Sequence, residues 1–187
     1  MRSLILLLAF ASILTLTLPT LGGPADNPFG GVWRLLPLPF KMFRLSMRPP
    51  DTVLQMPVQG VKVGQVANTW GAARPGDRHH QGQDIFARRG TPVVSATYGI
   101  VVRIGDAGIG GKSVSVLGAG GRTYYYAHLD GYAEGLRVGT IVQAGDVLGQ
   151  VGNTGNARTT PPHLHFGVYE RSGAVDPLRL LRPPTGP

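Results

Sequence analysis

The sequence has no cysteine in 187 residues. This excludes disulfides, a thiolate nucleophile, a cysteine-based zinc site and a lipidated N-terminal cysteine. Any metal site must be built from histidine and carboxylate. Acidic residues are also scarce, 10 Asp and Glu against 18 Lys and Arg, with glutamate only at Glu134 and Glu170. Neither glutamate lies in an H-E-x-x-H helix, so a general base of that kind is missing. Lysine occurs only at positions 41, 62 and 112, and the net charge of +8 is mostly arginine scattered along the chain. A scattered basic balance suits an anionic polymer or surface, and no nucleic-acid motif directs it toward nucleic acid. With 28 Gly and 16 Pro, the composition disfavours long helices and favours short strands and turns. Beyond residue 18, no run is long and apolar enough to cross a membrane as a helix.

The chain opens Met1-Arg2-Ser3, continues in the apolar run Leu4–Leu18 and closes in small residues up to Ala25. This predicts a signal peptide over residues 1–23, because the run falls short of the ~20 residues that span a bilayer. The expected destination is the periplasm or cell envelope, in preference to retention by an uncleaved membrane anchor. Residues 24–52 read as a basic, proline-rich arm. Between 27 and 50 it carries Arg34, Lys41, Arg44 and Arg48, no acid, and prolines at 37, 39, 49 and 50 that prevent a long helix. The expectation is a linker or extended arm capable of peripheral contact with a membrane. A domain over residues 53–182 and a tail over 183–187 complete the chain.

Within the domain, short β-branched or aromatic runs alternate with glycine turns at 91–96, 99–104, 112–117, 122–129, 140–143, 147–151 and 163–169. The predicted fold class is all-β, with antiparallel twisted sheets and very little helix beyond a turn near 133–136. In the last run, strand periodicity puts His163 and His165 on one face and Leu164, Phe166 and Val168 on the other. Two imidazoles aimed at one place are metal ligands or an acid-base pair. His80, Gly82 and Asp84 also share a face when extended, and Gly82 has no side chain to obstruct what its neighbours approach. That arrangement suits a shared metal, since neutral imidazole and carboxylate oxygen are ordinary zinc ligands. The same alternation places His128 with Tyr124 and Tyr126, opposite Tyr125, Ala127 and Leu129. Tyr124 and Tyr126 then line a groove or pack in the core. His79 reads as a surface or groove residue, Asp130, Asp146 and Asp176 as turn residues, and Asn156 and Thr159 as part of a loop.

Asn68-Thr69-Trp70-Gly71, the stretch from Arg78 to Ala87, Gly90-Thr91-Pro92-Val93, Tyr126-Ala127-His128-Leu129, Gly145-Asp146, Gly152-Asn153-Thr154-Gly155 and His163-Leu164-His165-Phe166 together resemble the lysostaphin-type zinc metallopeptidases. These are the M23 or LytM-like peptidoglycan endopeptidases, and the resemblance runs from about Val53 to Leu181. It implies twisted antiparallel sheets forming a groove, related to barrel-sandwich folds, and one zinc ion per domain. By resemblance, His80, Asp84 and His165 are the metal ligands and His128 and His163 the catalytic pair, with peptidoglycan stem peptides or cross-links as substrate. Pro161, where the family often has glycine, and Ala157-Arg158 depart from its usual wording and bear on substrate preference.

Two other classes compete. One is a non-enzymatic cell-wall binding or amidase-activating LytM-like module, although such members typically lose ligand positions that this chain keeps. The other is a biotinyl- or lipoyl-like hairpin over 139–149, which has no lysine at its turn to carry a cofactor.

Overall fold

The His163-containing segment forms the strand β10 (His163–Glu170), and its two faces are as unlike as its alternation predicts. In the computed structural model, which describes residues 36–74, 76–106 and 108–181, Leu164, Phe166 and Val168 are fully buried. The signal-peptide and tail expectations fall outside the described residues. The chain divides into two units, Met1–Leu36 and Pro37–Pro187. The architecture below is that of the second.

Among the described residues, eleven strands follow in chain order: β1 (Ala73–Arg74), β2 (Arg78–His79), β3 (Gln83–Phe86), β4 (Pro92–Val94), β5 (Gly99–Asp106), β6 (Lys112–Leu117), β7 (Thr123–Tyr132), β8 (Ile141–Val142), β9 (Val147–Val151), β10 and β11 (Gly173–Val175). Strands β1 and β2 pair with each other, and the other nine form one sheet. Its main path runs β11-β10-β7-β6-β5-β8, with β3 on β10, β9 on β7 and β4 on β9. All of these pairings are antiparallel. β7 pairs with β10 over 165–169, so β3 and β11 share its other edge, at 163–166 and 168–170.

The core is the apolar face of this sheet. Phe166 packs against Tyr126 and Tyr124 with ring centroids 5.2 and 6.5 Å apart, and Val114, Val116, Leu129, Leu148 and Val151 surround them. Burying each such side chain contributes about 1.5–3 kcal/mol relative to exposure. Tyr126 brings a hydroxyl into this core, where it accepts a hydrogen bond from the Ala96 amide at 2.9 Å. Burial pushes its phenol up to about 12, so it stays neutral at ordinary pH. Tyr124 and Tyr126 are therefore core residues and do not line the groove.

The described part of the expected linker or arm, residues 36–52, contains a helix. Leu38–Ser46 is a nine-residue α-helix, α1, with Pro37 at its N-cap and Pro39 in its first turn. A proline there costs no hydrogen bond, because first-turn amides have no intrahelical acceptor. The prolines expected to prevent a long helix bound this short one, Pro37 and Pro39 at its start and Pro49-Pro50 after its end. α1 buries Leu45 against Ile100 and Ala119, with Leu38 and Met42 packed alongside. Asp51 then binds the sheet: its carbonyl accepts from Arg122 Nη1 at 2.6 Å and its carboxylate from Thr97 Oγ1 at 2.6 Å. The compact unit thus begins at Pro37, ahead of Val53. At the other end, Asp176 Oδ1 accepts from the Leu178 amide and caps a short helix, α2 (Pro177–Leu181), which buries Leu178 and Leu181.

Candidate metal centre and active site

Register between β3 and β10 sets the first part of the site. His165 lies directly opposite Asp84, and His163 opposite Phe86. His80 precedes β3 and reaches the same point. Its Nε2 lies 2.9 Å from His165 Nδ1 and 3.1 Å from Asp84 Oδ1, while His165 Nδ1 is 3.1 Å from that same oxygen. Gly82 makes the convergence possible. A Cβ there would lie 2.4 Å from His165 Cε1 and 2.6 Å from its Nε2.

The surroundings fix which atoms face inward. His80 Nδ1 donates to the Thr69 carbonyl at 2.7 Å, leaving the Nε2 lone pair directed at the cluster. Thr69 also accepts the Asp84 amide on Oγ1 at 2.9 Å, so one residue orients two members of the group. Arg74, on β1, donates to Asp84 Oδ2 at 3.0 Å and leaves Oδ1 as the inward oxygen. Burial raises the Asp84 carboxyl, but when the inward nitrogens of His165 and His80 carry a proton, their hydrogen bonds and charge outweigh it and hold the group well below the usual carboxylate range. Burial pushes His165 downward against the opposing pull of Asp84. An ionised carboxylate and neutral imidazoles are the forms that ligate metal.

Three lone-pair atoms so close together need a cation or proton between them. Tetrahedral zinc with bonds of 2.0–2.1 Å would hold its ligand atoms about 3.3 Å apart, close to the distances observed. His80, Asp84 and His165 therefore fit a metal ion, and their ligating atoms all lie within 4.8 Å of one another.

His163 and His128 flank this group. His163 Nε2 is 3.9 Å from Asp84 Oδ1, and the His128 ring centroid lies 5.1 Å from that of His163 and 5.9 Å from that of His165. His128 reaches this face by breaking the alternation of β7. Its φ is +63°, and the pairing with β6 slips between Lys112 and Val114. This bulge turns His128 away from the buried Tyr124 and Tyr126, correcting the simple alternation. Tyr125 stays on the site face, its ring centroid 6.1 Å from that of His165.

Both flanking rings are held by the backbone. His128 Nδ1 donates to the Thr154 carbonyl and His163 Nδ1 to the Pro161 carbonyl, each at 2.9 Å. In their neutral forms, both Nε2 atoms are therefore acceptors. Burial, followed by the neighbouring His163 and His165, lowers His128 to about 4. Thr154 itself is fixed through Oγ1, which accepts from the Lys112 amide and donates to the Leu129 carbonyl, each at 2.9 Å. Gly155, at φ +68°, passes so close to Ile109 that a Cβ would meet its carbonyl oxygen at 2.3 Å.

The five residues singled out as ligands or catalytic groups thus come together. His79 is exposed, with Nδ1 on the Gly71 carbonyl. Asp146 accepts the Gln143 amide in a turn, and Asp130 pairs with Arg89, which also binds Asn153. Sequence reasoning missed Arg74, Thr69 and the positioning role of Thr154, although Thr69 and Thr154 lie in quoted motifs. It also missed Tyr125, which stands 6.1 Å from His165 between ring centroids and with Arg103, Asp106, Ser113, Ser115 and Tyr169 lines a trough.

A twisted antiparallel sheet with a metal-competent His-Asp-His group and two further imidazoles beside it is the equipment of a metal-dependent hydrolase. The chain belongs to peptidase family M23, whose family model matches residues 78–177. Among similar curated proteins, it is 41% identical over 126 residues to the L-Ala--D-Glu endopeptidase of Bacillus subtilis, covering 62% of this chain and 39% of that one. It is 36% identical over 109 residues to lysostaphin of Staphylococcus simulans, covering 55% and 21%. The chain thus spans well under half the length of these relatives. Among solved structures, the lysostaphin catalytic domain from Staphylococcus simulans matches with TM-score 0.56 at 31% identity, covering 64% of this chain and 94% of that one. Helicobacter pylori Csd3 matches with TM-score 0.59 at 32% identity, covering 71% and 36%.

Proposed function

We propose that the protein is an exported, zinc-dependent endopeptidase that hydrolyses peptide bonds in the stem peptides or cross-links of bacterial peptidoglycan. The observation that carries this reading is the convergence of His80 Nε2, Asp84 Oδ1 and His165 Nδ1, with His163 and His128 beside them. Zinc fits the donor set, two imidazoles and one carboxylate with no thiolate, and when bound supplies acidification of water and polarisation of a carbonyl. The names of the relatives, an L-Ala--D-Glu endopeptidase and lysostaphin among them, support a peptide of the cell wall as substrate. The apolar run and small-residue close at the N-terminus support export.

The chain's own residues divide the proton work. His163 Nε2 is a lone-pair acceptor beside Asp84, whose charge 3.9 Å away stabilises the ring once it has taken a proton from the attacking water. The same ring then returns that proton to the leaving amine. His128 hydrogen-bonds the developing oxyanion. Because its Nδ1 is committed to Thr154, it donates only while Nε2 also holds a proton, and burial works against that state before substrate arrives.

The test is mass spectrometry of a defined cross-linked muropeptide incubated with the zinc-loaded protein. New amino termini that vanish after chelation and return with zinc are expected. Intact muropeptide throughout would leave the non-enzymatic wall-binding reading in its place.

A further inference from the structure

Helix α1 has two apolar faces, and the sheet uses one. Leu38, Met42 and Leu45 pack inward, whereas Phe40, Phe43 and Met47 remain 42%, 61% and 71% exposed. Spaced three and four residues apart, these three form a single stripe on the opposite side of the helix. Lys41, Arg44 and Arg48, with the same spacing, run along one flank of that stripe, and no acidic residue occurs between 27 and 50. A scattered surface apolar residue needs no explanation, but two phenylalanines and a methionine aligned on one short helix do.

We propose that the outer face of α1 is a docking surface for an anionic lipid bilayer. Phe40, Phe43 and Met47 enter the boundary between headgroups and acyl chains, and the basic flank meets the phosphate layer. The charge selects this occupant, since a second copy of the same helix would bring cation against cation. Position agrees with it. α1 packs on the turn Ala119–Gly121 that leads into β7, whereas His128 lies farther along that strand, five residues after Thr123 or roughly 17 Å. Lipid contact at α1 therefore leaves the histidine cluster uncovered. The docking surface is independent of which bond the site cleaves.

The absence of cysteine permits a local test on the full chain. Phe43→Cys, labelled with an environment-sensitive fluorophore, is compared with Ile109→Cys, labelled on an exposed loop near the histidines. Phosphatidylglycerol vesicles should blue-shift the probe at 43 and leave that at 109 unchanged. Adding Arg44→Gln and Arg48→Gln should weaken the vesicle titration about 30-fold. No shift at 43, or an equal shift with phosphatidylcholine vesicles, would overturn the proposal. So would a shift that follows protein concentration without vesicles, which would assign the face to a second copy of the chain.

Discussion

Gly82 illustrates how much of the site depends on one missing atom. The His165 ring occupies the space a Cβ would need, and the Phe166 carbonyl lies 3.0 Å from the same point. In Gly82→Ala the ring must swing away from Asp84 and His80. Zinc affinity should fall by about 10–100-fold, in the range seen when groups that orient ligands are altered. The sheet should persist, because Leu164 and Phe166 on the opposite face are untouched. Competition with a chromophoric zinc chelator measures the loss, and a circular dichroism melt shows whether the fold survived. Unchanged zinc affinity would mean that His165 is not held where the structure holds it. Arg74 and Thr69 act on the same small scale, each fixing the orientation of His80 or Asp84 through one or two hydrogen bonds.

At the scale of the element, β7 and the loop that steadies it decide where His128 points. Thr154→Val keeps the carbonyl that receives His128 Nδ1 but removes the hydroxyl that joins Lys112 to Leu129. A backbone amide and carbonyl then lose their partner, at a cost of about 1–3 kcal/mol each if they stay buried. The urea midpoint should drop accordingly, and serine at 154, which restores the hydroxyl, should recover most of it. The elements also differ in how legible they were in sequence. The alternation of β10 identified its core face and its histidine face, and β6 and β9 matched the expected bounds because glycines bracket their β-branched runs, at 110–111 and 118 and at 145 and 152. β7 misled beyond Tyr126 because a bulge changes the face without changing the composition. The hairpin of β1 and β2 was invisible, each strand being two residues long in a Gly- and Arg-rich stretch. α1 was hidden because prolines that break a helix interior also start one. The five candidate site residues were legible as chemistry, since histidine is rare here, but their supports, the backbone carbonyls of Thr69, Thr154 and Pro161 together with the Thr69 hydroxyl and Arg74, are brought to them only by the fold.

On the scale of the whole molecule, burying neutral His128 makes stability depend on pH. Its folded value is about 4 against 6.5 for an unperturbed histidine, so the folded chain binds fewer protons than the unfolded chain between these values. That contribution is complete above about 6.5 and is lost as pH falls through about 4. In chelator-treated protein, urea midpoints should decline from pH 7 to pH 4, and His128→Gln should flatten the decline. A midpoint insensitive to pH would show that the ring is not buried neutral. The proposed catalytic assembly is a metal held by His80, Asp84 and His165 and worked by His163 and His128. Its most direct measurement is the rate at which zinc-loaded His163→Ala releases new amino termini from purified peptidoglycan, with zinc content determined on the same sample. The account predicts one zinc per chain and a rate at least about 100-fold below the parent. A parental rate, or a variant that has lost its zinc, would contradict it.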